Sequence, residues 1–263
     1  MGIRLNKYLA NCGLGSRRKV EAFITEGRVT INGARAARTG TVLEPGDVIR
    51  LDGRLIAPMQ HSYLMLNKPR GYVTTLDDEK NRATVMDLIP QKYRQAGVYP
   101  VGRLDKDTEG LLLFTNDGDL AYRLTRPDYE VPKEYVAEID RPLAAADRDK
   151  IIKGIYIHQL HIKTKPAQVR LLDDSGRRVQ LVIREGKNRQ IRYTLMNLGY
   201  KIRRLDRTAY GTLTLKKIKR GSCRVLAQYE ICSIKKMVGL QGTASSAPST
   251  AFSLKKNTPG RRR

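Results

Sequence analysis

Apolar residues in this chain follow two patterns. Around its middle they form unbroken runs, YLML from Tyr63 and LLLF from Leu111, and VYPV from Val98 is similar; such short runs read as buried strands. Elsewhere they recur at regular spacing. Leu5, Tyr8 and Leu9 share one helical face, and Ser16 is placed to cap a second helix carrying Val20, Phe23 and Ile24, with Gly27 at its C-terminal end. RVTINGARA alternates around an Asn32–Gly33 turn, and after EPGD the stretch VIRLDGRLI makes a second hairpin about Asp52–Gly53.

A linker, APMQHS, leads to YLMLNKPRGYVT, which predicts a strand, a turn over Lys68–Pro69–Arg70–Gly71 and a second strand. Further strands are predicted at KEYVAEI, AQVRLL and RRVQLVI, the last two joined by a DDSG turn. Helices are predicted at TVMDLI, at DLAYRLT after Asn116–Asp117, over 147–153, and at NRQIRYTLMNL ending on Gly199. Strands outnumber helices and hairpins recur, so the pattern predicts an α+β fold with a mostly antiparallel sheet. Residues 1–58 read as a small unit, 63–235 as a second domain, and 236–263 as a Ser-, Thr-, Ala-, Gly- and Pro-rich tail unable to bury enough apolar surface to fold.

Charge changes the picture. The 263 residues contain 50 Lys plus Arg against 26 Asp plus Glu, a formal net charge of +24. The excess is present in all three segments, which points to a polyanion partner, most commonly nucleic acid. The small unit has too little core for much besides display of a surface, and that surface carries Arg4, Lys7, Arg17, Arg18, Lys19 and Arg28. Ser16 and the unpaired N–H groups of its helix start form an anion site, to which Arg17 and Arg18 add bidentate phosphate donors. No run approaches the ~20 apolar residues of a membrane span, the first residues lack a secretory core, and Asn6 stands where myristoylation needs a small hydroxyl. A cytoplasmic protein is expected. Cys12, Cys223 and Cys232 form no CxxC pair and read as reduced thiols, without a disulfide framework or zinc site.

Between VYPV and LLLF lies GRLDKDTEG, Gly102 to Gly110. Buried charge is costly unless paired or used, so this stretch is a solvated turn or a site. As a site it has three readings: Asp105 and Asp107 as a DxD pair for a divalent cation, Asp105 and Glu109 as an acid and base pair, or one aspartate acting alone beside a basic partner. Composition leaves these open. Asp107 is expected to be a capping residue of its loop. His158 and His161, three apart, have no Cys or carboxylate nearby to complete a metal set and are expected to be solvated or core residues.

Several stretches resemble known families. RLNKYLA, GSRRKVEAFITEGRVTING and EPGDVIRLDG are similar to the αL RNA-binding domain first described in ribosomal small-subunit protein four, which implies RNA contact by Arg4, Lys7, Ser16, Arg17, Arg18 and Arg28. PVGRLDKDTEGLLLFTNDGDLAYRL, LNKPRGYV, VPKEYV, REGKNRQIR and LGYKIRRLDR resemble, in order, the motifs of pseudouridine synthases of the branch that modifies single ribosomal RNA uridines. The resemblance implies a mostly antiparallel mixed sheet flanked by helices. It makes Asp105 the essential carboxylate, Arg192 its bidentate ion-pair partner, and Tyr135 the tyrosine stacked on the target base. Arg103 would hold the nucleotide out of its helix, Ile191 would wall the pocket, and Lys68 and Arg189 would bind substrate. It implies ribosomal RNA as partner and no metal or cofactor; a monomer without a membrane partner is expected. YTLM at Tyr193 departs from the family, which usually carries a second basic residue there. The motifs look closer to large-subunit than to small-subunit enzymes. A small-subunit enzyme, a non-catalytic assembly factor and a metal-dependent nuclease are the alternatives.

Overall fold

The computed structural model of the chain describes residues 2–36, 38–216 and 218–240; the tail expected from 241 onward lies outside the described residues. The N-terminal unit comprises β1 (Ile3–Arg4), α1 (Leu5–Asn11), α2 (Arg17–Thr25), β2 (Val29–Ile31), β3 (Ala34–Arg35), β4 (Val42–Leu43), β5 (Ile49–Leu51) and β6 (Arg54–Leu55). The two helical faces close on each other, burying Leu5, Leu9, Val20 and Ile24 with Val29, Leu43 and Ile49. The hairpins join through β2 and β5 into a four-stranded sheet. At the hairpin tips Asn32 and Asp52 take φ of +51° and +50°, and Gly33 and Gly53 follow at +86° and +77°. Two-residue hairpin loops require this left-handed backbone, which is why Asn-Gly and Asp-Gly stand there.

The larger domain contains β7 (Tyr63–Lys68), α3 (Gln91–Gln95), β8 (Tyr99–Pro100), β9 (Glu109–Thr115), α4 (Gly118–Thr125), β10 (Lys133–Ile139), α5 (Ala145–Lys153), β11 (Tyr156–Ile157), β12 (Ile162–Lys163) and β13 (Gln168–Leu171). It continues with β14 (Arg178–Ile183), α6 (Gln190–Asn197), β15 (Ile202–Tyr210), β16 (Leu213–Thr214), β17 (Cys223–Val225) and α7 (Gln228–Met237). The main sheet runs β13-β14-β10-β15-β9-β7-β17, with β8 added to β9 and β16 to β15. Its neighbours are antiparallel except β9 and β15, so the sheet is mixed. Side chains of β7 and β9 alternate between two cores. Leu64, Leu66, Leu112 and Phe114 enter one, and Tyr63, Met65, Leu111 and Leu113 enter the other. Both faces are covered, hence the unbroken apolar runs. β10 alternates because Tyr135, Ala137 and Ile139 face a core while Glu138 is exposed.

Three expectations are corrected. TVMDLI forms only a 3-10 turn, Val85–Leu88. GYVT makes one isolated bridge, Val73 to Thr84, instead of a strand, because Gly71 N–H and Thr74 Oγ1 are spent on the GRLDKDTEG loop. The packed chain also runs past position 235: α7, not predicted, lays Ile231, Ile234 and Val238 on the second core, and Leu240 follows.

The parallel seam between β9 and β15 is two residues long, pairing Glu109 with Asp206 and Gly110 with Arg207. Gly110 has φ +107°, and a Cβ there would collide with the backbone N and O of Arg207. Gly110→Ala is therefore expected to destabilise the protein by about 1–3 kcal/mol. Urea unfolding measures this, and a loss below about 0.5 kcal/mol would contradict the close approach.

Candidate active site

Lys68, the last residue of β7, ties GRLDKDTEG to the sheet. Its side chain is fully buried, and Nζ donates to the carbonyls of Pro69 at 3.1 Å, Asp105 at 3.1 Å, Lys106 at 3.3 Å and Thr108 at 2.9 Å. The segment after it adds further ties. Gly71 N–H donates to Lys106 O at 2.9 Å, and Thr74 Oγ1 donates to Leu104 O at 2.8 Å. The motif resemblance makes Lys68 a substrate-binding residue, and the structure corrects this. With its protons committed to four carbonyls, it instead shapes the loop that presents Asp105.

The Asp105 carboxylate lies between two guanidiniums, with Arg189 Nη1 at 3.7 Å and Arg192 Nε at 3.6 Å from Oδ2. The expected bidentate pair is corrected. Arg192 Nη2 donates instead to Asp107 O at 3.0 Å and Thr108 Oγ1 at 3.2 Å, which draws the fork onto the loop backbone. Arg192 Nε is buried without a hydrogen-bond partner. Burial lowers the Arg192 pKa, and Arg189 adds to the effect, while Asp105 opposes it. Arg189 has a left-handed φ of +46° at the start of α6. Its turn is set by buried Gln190, whose Oε1 accepts from Lys187 N–H at 3.1 Å and whose Nε2 donates to Glu185 Oε1 at 2.6 Å.

Asp105, Tyr135, Ile191, Arg192, Arg189 and Arg103 line a single cavity of about 160 Å³. Tyr135 and Ile191 are buried walls, and Arg103 is exposed. Lys68 is absent from this lining. One transverse row of the sheet explains the arrangement. Lys68 pairs with Gly110, Gly110 with Arg207, and Arg207 with Tyr135. Among the lining residues that escape sequence reading are Lys133, Arg207 and Tyr210. For Lys133 a signal exists, because it lies two residues before Tyr135 and a strand returns to the same face every second residue.

In both two-carboxylate readings of the loop the second carboxylate faces an arginine of its own. Asp107 is half-exposed and faces Arg70 Nε at 3.8 Å. Glu109 receives Arg204 Nε at 2.7 Å. Among the described residues no three His, Cys, Asp or Glu side chains cluster in a way that could hold a metal ion. His158 belongs to a 3-10 turn beside Tyr156, and His161 follows it with φ +51°.

Of the residues assigned to RNA contact, Arg4, Arg17 and Arg18 are exposed. Ser16 caps α2, its Oγ accepting from Lys19 N–H at 3.2 Å. Two others are engaged by carboxylates of the protein itself. Lys7 Nζ contacts both oxygens of Asp119 at 2.6 and 2.8 Å, linking α1 to α4. Arg28 engages Asp52 at 2.7 and 2.9 Å and Glu26 at 3.2 Å, and stacks on Phe23, so its guanidinium is committed within its own unit.

Burial lowers the Lys68 pKa from 10.5 to about 8, against the pull of Asp105, Glu109 and Asp107. Between those values the unfolded chain binds more protons than the folded one, so this residue's contribution to stability rises with pH across the window. Lys68→Met leaves inward carbonyls without a donor and is expected to cost about 3 kcal/mol. The parent's advantage should grow from about pH 7.5 to about pH 9.5 in urea unfolding. An advantage that shrinks over that range would contradict the assignment.

The sequence pattern of RNA pseudouridylate synthases matches residues 62–197, and that of the S4 domain matches residues 3–49. The chain is 37% identical over 235 residues to ribosomal large subunit pseudouridine synthase B of Bacillus subtilis (strain 168), covering 87% of this chain and 93% of the relative. It is 36% identical over 241 residues to the dual-specificity RNA pseudouridine synthase RluF of Escherichia coli O6:H1, covering 90% of this chain and 79% of the relative. A crystal structure of a pseudouridylate synthase superposes with a TM-score of 0.64 at 30% identity, over 88% of this chain and 99% of that one. With matches of this extent and identity, the chain belongs to the RNA pseudouridylate synthase family and is an isomerase that carries an S4 domain ahead of its catalytic fold.

Proposed function

We propose that the protein converts one uridine of large-subunit ribosomal RNA to pseudouridine, acting as a cytoplasmic monomer without a cofactor. The observation that carries this reading is a lone carboxylate, Asp105, held between Arg189 and Arg192 at the wall of a cavity that also contains Tyr135. The reaction breaks the N1–C1′ bond of uridine, turns the base and rejoins it to C1′ through C5. Asp105 supplies the carboxylate that acts at the sugar. The two guanidiniums offset its desolvation. Tyr135 lies against the base, Ile191 closes the pocket beside it, and Arg103 fills the place in the RNA stack that the target vacates, where flipping costs a few kcal/mol.

Ribosomal RNA as substrate is supported by likeness to enzymes of that name, together with exposed Arg17 and Arg18 at the start of α2. Such an S4 domain grips a structured stem by its phosphates while the pocket reads the flipped base. This division of labour favours one uridine in a defined stem-loop, and the likeness to the Bacillus subtilis enzyme favours the large subunit. Among the described residues no helix is long and apolar enough to cross a membrane.

Asp105→Asn is expected to abolish pseudouridine formation while leaving RNA affinity intact. Turnover near the parent rate would remove Asp105 from the chemistry. Incubation with each unmodified ribosomal RNA, followed by carbodiimide-dependent primer-extension mapping, should give one stop in the large-subunit RNA. A stop only in the small-subunit RNA would overturn the subunit assignment alone.

Binding should weaken steeply with salt. Replacing Arg17 and Arg18 with Ala should flatten the log–log slope by about one unit for each phosphate that these side chains neutralise. An unchanged slope would show that these arginines do not touch phosphate.

A further inference from the structure

The cavity has cations that the roles above leave unused. Arg207 on β15 pairs directly with Tyr135 on β10, so the two side chains rise from the same face of the sheet. Arg207 is 3% exposed. Its Nε donates to Leu111 O at 2.8 Å, its guanidinium stacks 4.8 Å from the Tyr210 ring centre, and its Nη2 is buried with no hydrogen-bond partner. Lys133, two residues before Tyr135, places Nζ 5.6 Å from the same ring and spends one proton on Val131 O at 3.1 Å. Burial, then repulsion from Arg207, pushes its pKa down to about 8 against the pull of Glu185. Glu185 itself is engaged by Lys165 N–H and Gln190 Nε2. Among the described residues neither cation forms an ion pair with a carboxylate.

A buried guanidinium with an unused donor beside a half-buried ammonium is costly unless an acceptor arrives. The cavity that both residues line is where the uridine isomerisation proposed above, on which this inference rests, brings one. We infer that Lys133 and Arg207 are catalytic donors to the carbonyl oxygens of the target uracil, holding the charge that the base carries while detached from the ribose.

The electron count is simple. When N1–C1′ breaks, the electron pair stays with N1 and spreads by conjugation onto O2 and O4. When C5 attacks C1′, the base supplies the pair for the new bond. The proton on C5 then leaves, and N1 gains one. Lys133 and Arg207 give hydrogen bonds throughout and lose no proton. Their bonds to a neutral carbonyl are ordinary, whereas those to an anionic oxygen are charge-assisted on both sides, so they strengthen as the bond breaks. Uracil's own symmetry lets one donor pair serve both halves of the reaction. Turning the ring about the axis through N3 and C6 exchanges N1 with C5 and O2 with O4. A donor that meets O2 before the turn therefore meets O4 after it, without moving.

The test is single-turnover conversion of a target RNA fragment carrying uridine, 2-thiouridine or 4-thiouridine at the modified position. Lys133→Met should slow uridine conversion about 100-fold, as loss of one such donor does elsewhere, with RNA affinity and thermal unfolding near those of the parent. Lys133→Arg, which keeps a charged donor, should recover much of the rate, and Arg207→Lys should also be slowed. Sulfur accepts hydrogen bonds weakly, so the parent should convert at least one thio-RNA more slowly than uridine, and Lys133→Met should show a much smaller thio penalty. A merely structural lysine would leave that penalty unchanged, and that result overturns the inference. So do near-parent rates in both Lys133→Met and Arg207→Lys, or an effect confined to RNA affinity, which would make the pair phosphate ligands. If Lys133→Met does not fold, the parent decides: equal rates on all three RNAs overturn the inference. A parent that converts no uridine in any ribosomal RNA fails the underlying function, whereas an active parent with unaffected variants fails this inference alone.

Discussion

Four backbone carbonyls, those of Pro69, Asp105, Lys106 and Thr108, turn inward onto the ammonium of Lys68, which solvent does not reach. A loop whose carbonyls point into the sheet aims other groups outward, and Asp105 leaves it toward the cavity. The compact ammonium suits this place, since its rotatable donors reach carbonyls in several directions where the planar fork of arginine would not. Lys68 is positioned in turn by β7, buried on both faces, and by its pairing with Gly110. Gly110 is where β9 meets β15 along a seam of two residue pairs. The site thus depends on one row of the sheet: a buried cation, a glycine that admits the neighbouring backbone, and then Arg207 and Tyr135 on the next two strands.

Much of this is legible in the sequence, and the missing parts share a cause. The N-terminal hairpins are readable because Asn-Gly and Asp-Gly fix a left-handed backbone locally. KEYVAEI and RRVQLVI are readable because each has one face buried. The central strand β15, IRRLDRTAY, is not predicted, because its charged residues are spent on ion pairs with neighbouring segments and on one buried guanidinium. Asp206 pairs with Arg220, Arg204 with Glu109, and Arg207 is buried against Tyr210. Such a strand has no apolar period to find. GYVT shows the converse. It looks like a strand, but Thr74 and Gly71 spend their hydrogen bonds on the GRLDKDTEG loop.

The same limit applies to side-chain roles. Asp105, Tyr135, Arg192, Arg189, Ile191 and Arg103 are nameable from motifs, and they do line one cavity. Lys68, from an equally distinctive motif, does not. A motif records that a residue type is needed and is silent on whether the need is chemical or architectural. The Arg192 fork is misjudged for a related reason, because the competing acceptors Asp107 O and Thr108 Oγ1 belong to a loop whose path no local pattern gives.

Net charge conceals a division among the cations. Arg17 and Arg18 are exposed, so salt weakens any phosphate contact they make. Lys7, Arg28 and Arg204 are bound to carboxylates and hold elements together. Lys68 and Arg207 are buried and Lys133 is half-buried; all three face carbonyls or an aromatic ring, where mobile ions screen them little. Salt therefore acts on the exposed arginines and on the surface ion pairs, and least on the interior group. On the roles proposed above, RNA affinity and chemistry on RNA already bound draw on separate sets of positive charge, and an enzyme built this way can change how tightly it holds its substrate without altering the field inside its pocket.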